Sequence, residues 1–61
     1  MHIIVFMDVD NVVATAINEA TRRCEAWLQT QNIVLIQMQV ATTHVYDASV
    51  HTITIVYKVL V

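Results

Sequence analysis

The alternation of apolar and polar residues divides the first half of the chain into a strand and a helix. Residues from His2 to Val9 are mostly apolar and β-branched, which predicts a strand. From about Asn11 to Thr30 the apolar residues recur at steps of three and four, which places them along one side of a helix. We expect the side chains of Asp8, Asp10 and Asn11 to cap its first turn. The apolar side of this helix consists of Val13, Ile17, Ala20, Cys24, Trp27 and Leu28.

Two further strands follow the helix, because the apolar period changes from about 3.6 to 2 after Asn32. The second strand covers residues 33–41, and the third runs from about Val50 to Val61. The segment between them contains no glycine, so we expect a longer loop built on a type I turn, with Asp47 bonding its own backbone, rather than a tight primed turn.

The hydrophobic pattern also predicts how the strands pair. A loop centred between Tyr46 and Asp47 places the large apolar side chains of both strands on the helix side of the sheet. A right-handed crossover makes strands one and two parallel, so inserting strand three between them gives an antiparallel sheet in the order 2-3-1. The expected fold is α+β, a single βαββ domain over residues 1–61 with one helix on a three-stranded sheet. The predicted pairs are Val40–Ile53, Met38–Ile55 and Ile36–Tyr57.

The composition indicates that this domain does not act as a free monomer. It has 61 residues, of which 57% are hydrophobic and 13% are charged, against roughly 25% charged in an average soluble domain. A chain this short buries only about 60% of the surface of its unfolded form. Cys24 is the single cysteine, so no internal disulfide supports the fold. We therefore expect a homo-oligomer.

The sheet face away from the helix is the predicted interface of that oligomer. We expect the wholly apolar odd positions of strand one to face the helix, which leaves six large side chains uncovered. Such a patch exceeds the few hundred Å² of exposed apolar surface that monomers usually tolerate. The unpaired edge of the sheet is an alternative place for association. The six predicted interface residues are Ile4, Phe6, Ile33, Leu35, Val56 and Leu60.

The charges exclude several other classes of partner. Arg22, Arg23 and Lys58 are the only basic residues and form no stripe along a phosphate backbone, so we expect no nucleic-acid binding. No apolar run approaches the roughly 18 residues of a membrane span, and the first residues lack the basic segment of a signal peptide. The sequence therefore predicts a cytoplasmic protein without a membrane partner.

Two histidines and two aspartates are candidate metal ligands. His44 and His51 fall near the hairpin end, and the predicted strand order brings Asp8 and Asp10 to the same edge. Imidazole and carboxylate groups bind divalent metals. The alternative is a cluster of solvated polar residues and a helix cap, which we favour because no single element has ligand spacing. We predict no metal and no cofactor.

No residue pattern predicts catalysis. Cys24 lies on the apolar side of the helix, where a thiol is normally an inert packing group. Ser49 is the only serine and is expected in the loop, so no serine–histidine–acid set is apparent. The helix N-terminus is flanked by Asp8 and Asp10, which repel a phosphate. We expect a protein without enzymatic activity.

Four stretches of the sequence form a set of motifs: Ile17-Asn18-Glu19, Trp27-Leu28, residues 33–40 with Gln37 and Gln39, and Ile53-Thr54-Ile55-Val56-Tyr57. Together they resemble a family of tiny bacterial sporulation-associated and phage-encoded proteins. The resemblance implies a compact, non-enzymatic βαββ protein, and phage members of this size are often inhibitors of host proteins. The order of elements is also similar to that of dodecin, a flavin-storing oligomer. Two hypotheses follow: an interaction protein that binds a partner protein, or an oligomer that sequesters a flavin-like or nucleotide-like molecule.

Overall fold

The computed structural model describes residues 1–60 and contains one helix packed on a three-stranded antiparallel sheet. Strand β1 (His2–Asp10) leads to helix α1 (Val13–Thr30), which is followed by strands β2 (Ile33–Val45) and β3 (Ala48–Val59). The strand order is β1-β3-β2, with β3 in the centre. The predicted element order, sheet order and α+β class are confirmed. The expected continuation of the third strand to Val61 lies outside the described residues.

Helix α1 approaches the sheet closely because small side chains occupy its contact face. Ala16, Ala20 and Cys24 recur every four residues and are buried, and the last two form the core cluster with Ile53 and Ile55 of the sheet. Ala16 was not among the predicted apolar positions, whereas Val13, which was, lies at the exposed start of the helix. No helix of residues 1–60 combines the length and the apolarity needed to cross a membrane.

The start of the helix differs from its prediction. Val12 is the N-cap residue, with extended backbone angles (φ −102°, ψ 120°), and no side chain caps the first turn. Asp8 and Asp10 belong to β1, and the Asp10 carboxylate accepts a hydrogen bond (2.9 Å) from the Val12 amide, one residue before the helix. The expected start at Asn11 and the expected capping by these side chains are wrong, since β1 extends further than its apolar residues do.

Strand β1 turns toward the helix the face that was predicted to be open. Ile4 lies opposite Ile55 and Phe6 opposite Ile53, and both side chains pack against the core. The placement of Ile4 and Phe6 on the uncovered face is therefore wrong. The physical reason is the contact between Phe6 and Trp27 of the helix, whose ring centroids are 5.8 Å apart. The odd positions of β1 consequently face away from the helix.

The hairpin between β2 and β3 is tighter than predicted. Val45 pairs with Ala48, so Tyr46 and Asp47 alone form the turn. Tyr46 adopts a positive φ of 56°, which is the backbone conformation that glycine normally supplies in such turns. The expected longer loop is wrong, while its predicted centre is confirmed. The predicted pairs Val40–Ile53 and Met38–Ile55 are also confirmed.

A β-bulge exchanges the two faces of β2 at the beginning of the strand. The register shifts between Leu35 and Gln37, so Ile36 has no partner and Leu35 lies opposite Tyr57. Because Tyr57 packs against the core, Leu35 and its neighbour Ile33 lie on the helix side of the sheet. Their predicted placement on the open face is wrong, and so is the predicted Ile36–Tyr57 pair, because an extra residue in one strand inverts the faces before it.

The helix covers only part of the sheet. It contacts β1 and β3, but among residues 1–60 none of its Cα atoms lies within 8 Å of a Cα atom of β2. Met38 and Val40 of β2 face the helix side and are nevertheless 52% and 54% exposed. The molecule is correspondingly flat and elongated, with principal extents of 43 × 18 × 10 Å. Two apolar regions therefore remain uncovered, one on each face of the sheet.

Candidate functional site

The first uncovered region lies on the open face of the sheet and is formed by β1. We call it the β1 stripe. Every member is apolar and more than half exposed. Lys58 is the only charged residue that the strands of residues 1–60 place on this face. The β1 stripe consists of Ile3, Val5, Met7 and Val9.

Two of the six predicted interface residues remain compatible with the open face. Val56 lies opposite Ile3, beside the β1 stripe, and is half-buried. Leu60 follows β3 directly, is half-exposed, and donates its backbone N–H to the Asn32 carbonyl oxygen at 2.9 Å. The other four lie on the helix side, as described above. The signal for the β1 stripe was present in the unbroken apolar odd positions of β1, which we assigned to the core.

The second uncovered region is a groove between α1 and β2 with a volume of about 370 Å³. We call it the α1–β2 groove. It exists because the helix lies over β1 and β3, while β2 extends beyond the covered area. One wall is formed by helix residues Ile17, Thr21, Cys24, Glu25 and Leu28. The sheet contributes Met38, Val40, His51 and Ile53.

His51 is the buried polar residue of the α1–β2 groove. It is 4% exposed, and its Nδ1 atom lies 2.8 Å from Oγ1 of Thr42 on the neighbouring strand. Its second ring nitrogen, Nε2, has no hydrogen-bond partner within residues 1–60. The ring is therefore held in place by one nitrogen and keeps the other available.

His44 and Ser49 form a contact that the sequence reasoning missed. Ser49 belongs to β3, not to the expected loop, and its Oγ lies 3.1 Å from Nδ1 of His44. Asp10 is the register partner of Ser49, but its recorded hydrogen bond goes to the Val12 amide. Within residues 1–60 no carboxylate bonds to His44, so the acid that orients the base in a catalytic triad is lacking.

The predicted metal ligands come to one end of the sheet without converging. Asp8 lies opposite His51, and its carboxylate forms an ion pair (3.1 Å) with Arg23 of the helix, which also donates to the Met7 carbonyl. Among the described residues, no three histidine, cysteine or acidic side chains are placed to hold a metal ion. The two histidines instead bond to hydroxyl groups of the adjacent strand, one of them through Thr42.

Two further side chains occupy the positions that the sequence predicted. Cys24 is a buried free thiol, and its burial, together with the neighbouring Glu25 carboxylate, raises its pKa. Trp27 lies on the core side of the helix and contacts Phe6 and Tyr57, with a centroid distance of 5.0 Å to the latter. Both residues therefore belong to the packing between helix and sheet.

These surfaces are not assigned by similarity to other proteins. Comparison of the chain with protein-family models, with curated proteins and with solved structures found no match. The resemblances drawn from the sequence motifs therefore remain predictions.

Proposed function

We propose that this chain is a small, non-enzymatic, homo-oligomeric interaction protein whose open sheet face packs against a second copy. The observation that carries the proposal is the β1 stripe, an uncharged row of apolar side chains that are each more than half exposed. The side chains of Ile3, Val5 and Met7 project from the same face at alternate positions. Covering such a row removes apolar surface from water, which stabilises association.

The size of the exposed surface supports association. The chain exposes 4361 Å², whereas a compact monomer of 6.9 kDa exposes about 4,000 Å². Its radius of gyration of 12.6 Å likewise exceeds the roughly 10.5 Å of a compact 61-residue domain. A standard interface of about 800 Å² per partner would cover roughly a fifth of this surface.

The small size of the hydrophobic core also supports association, because it limits the stability of a monomer. The buried apolar residues of the described range 1–60 are two alanines, one cysteine and two isoleucines. Larger side chains such as Phe6 and Trp27 are only partly buried against them. Because apolar burial contributes roughly 25 cal/mol per Å², this core alone leaves the monomer marginal. A second copy would add the burial that the monomer lacks.

A charge placed in the β1 stripe tests this proposal. Val5→Asp should convert the oligomer into a 6.9 kDa monomer in sedimentation velocity, with the helical circular dichroism retained, because an interface core does not accommodate an unpaired carboxylate. Val45→Asp is the matched control, since Val45 is an exposed valine of the same face near the hairpin turn. The control should keep the wild-type mass.

Two results would contradict the proposal. One is a folded wild-type monomer of 6.9 kDa at a protein concentration of about 100 μM, where an interface of standard size is occupied. The other is an unchanged mass for Val5→Asp.

An inhibitor of a host protein, the role implied by the sequence resemblance, would use surface outside the β1 stripe.

The outer edge of β2 is the surface we propose for such a partner protein. This strand has 13 residues and contains no lysine, arginine, carboxylate or proline, the residues that usually protect an edge from pairing. An extended segment of a partner could add to it as a further strand. His44→Lys, which adds a charge on the helix side of this edge and away from the open face, should abolish retention of any protein captured from a lysate by the wild type, while the oligomeric mass stays unchanged.

A further inference from the structure

We propose that the α1–β2 groove binds a small, neutral or cationic, apolar molecule that carries one hydrogen-bonding group, which is received by Nε2 of His51. The groove has a volume of about 370 Å³, which falls within the range of small-molecule pockets. Ile17, Leu28, Met38 and Val40 give it an apolar lining on both sides. This lining suits an aromatic or alicyclic body.

His51 supplies the polar anchor of the site. Its side chain is nearly completely buried, and Thr42 holds Nδ1 so that the ring orientation is set before a ligand arrives. Nε2 has no hydrogen-bond partner within residues 1–60. Every side-chain nitrogen or oxygen of these residues that is fully enclosed does have a partner, so Nε2 is not fully enclosed and solvent reaches it. Because His51 lines the groove, the proposed ligand would reach Nε2 from there. A ligand hydroxyl satisfies either tautomer, because it both donates and accepts.

The charges around the groove decide the charge of the ligand. Glu25 lies in the helix wall of the groove, whereas Asp8, opposite His51 on β1, is neutralised by its ion pair with Arg23. No lysine or arginine lines the groove, so the Glu25 carboxylate is the charge that an incoming ligand meets there. An anionic ligand would therefore meet net repulsion, whereas a neutral or cationic one would not.

The groove and the β1 stripe lie on opposite faces of the sheet, so ligand binding and self-association are separate properties. Val40 belongs to the helix side, and Val5 belongs to the open face. Loss of the oligomer therefore leaves the ligand proposal intact, and loss of ligand binding leaves the oligomer intact.

A neutral fluorescent probe, N-phenyl-1-naphthylamine, tests the location of the site. Its fluorescence should rise and saturate at one probe per chain with the wild type. Val40→Trp fills the groove and should abolish the rise. Gln39→Trp introduces the same ring one residue away on the opposite face and should leave the titration unchanged. Equal binding by these two variants would overturn the proposal.

Displacement of the probe by two matched molecules tests the anchor. 2-Naphthol and 2-methylnaphthalene differ by a hydroxyl in place of a methyl group, so the wild type should prefer the naphthol by about five-fold, the effect of one neutral hydrogen bond. His51→Phe should remove this preference and keep the probe bound. Nitrogen NMR of the wild-type imidazole gives a second measurement that does not depend on the variant: the Nε2 resonance should shift when naphthol saturates the protein.

Three results would overturn the assignment. The first is an Nε2 resonance that naphthol does not move. The second is tighter binding of 2-naphthoate than of 2-naphthol, which would contradict the role of Glu25. The third is probe binding that occurs only when dilution dissociates the oligomer, because a second copy would then be the occupant of the groove.

Discussion

The rings of Phe6 and Trp27 pack with their centroids 5.8 Å apart, and this contact determines which face of β1 the helix covers. Trp27 also contacts Tyr57 of β3, which stacks on His2 at the start of β1, so aromatic side chains join β1, α1 and β3. Because β1 is anchored through its even positions, its odd positions form the β1 stripe. The candidate interface therefore follows from an aromatic contact on the opposite face.

Truncation of Phe6 should destabilise the domain strongly. Phe6→Ala removes a side chain that packs against both the core and Trp27, so we expect a loss of about 3 kcal/mol in the free energy of unfolding. Urea denaturation followed by circular dichroism measures this loss. Tyr46→Ala is the control, since Tyr46 is fully exposed and should lose almost nothing. A similar loss in both variants would contradict the described orientation of β1.

A polar residue at the start of the helix should stabilise the domain. Val12 occupies the N-cap with an extended backbone but has no side-chain oxygen to accept a free amide hydrogen. Val12→Ser supplies that acceptor and should raise the free energy of unfolding by about 1 kcal/mol. Val13→Ser, one residue inside the helix, should give no such gain in the same denaturation experiment.

The turn between β2 and β3 offers a second stabilising substitution. Tyr46 has the only positive φ among residues 1–60, and a left-handed backbone costs a residue with a Cβ roughly 1 kcal/mol. Asparagine tolerates this conformation better, so Tyr46→Asn should raise the thermal midpoint by a few degrees, for a gain of about 0.5 kcal/mol. Asp47→Asn should not raise it, because the backbone of Asp47 has no such strain.

The Cys24 thiol should react slowly and should make stability depend on alkaline pH. Burial raises its pKa in the folded state, with the Glu25 carboxylate adding to the effect, so the unfolded chain releases the thiol proton first. The folded state then binds more protons than the unfolded state as the pH rises through about 9, the ordinary pKa of the thiol. Stability must fall over this range.

Comparison with Cys24→Ala isolates this contribution. The free energy of unfolding of the wild type should decrease more steeply with pH in this range than that of the variant. Alkylation of the folded wild type should also be slower than that of the chain unfolded in guanidinium. Equal pH slopes for the two proteins would show that Cys24 does not titrate differently on folding.

The sequence predicted one wall of the candidate site but not the site itself. The pairs Val40–Ile53 and Met38–Ile55 follow from local alternation, and they place the sheet wall of the α1–β2 groove correctly. The groove itself was not predicted, because it depends on the helix lying over β1 and β3 and away from β2. The role of His51 depends in turn on that groove.

The periodicity of side chains along the chain determined the four elements, their order and the centre of the hairpin, because these properties depend on neighbours within a few residues. The tertiary structure alone decided which face of β1 is covered. Both faces of that strand carry apolar residues, so a period of two distinguishes the faces without saying which one meets the helix. The packing of Phe6 against Trp27 made that choice, and the bulge at Ile36 likewise decided the faces at the start of β2, since both depend on contacts between residues that are distant in sequence.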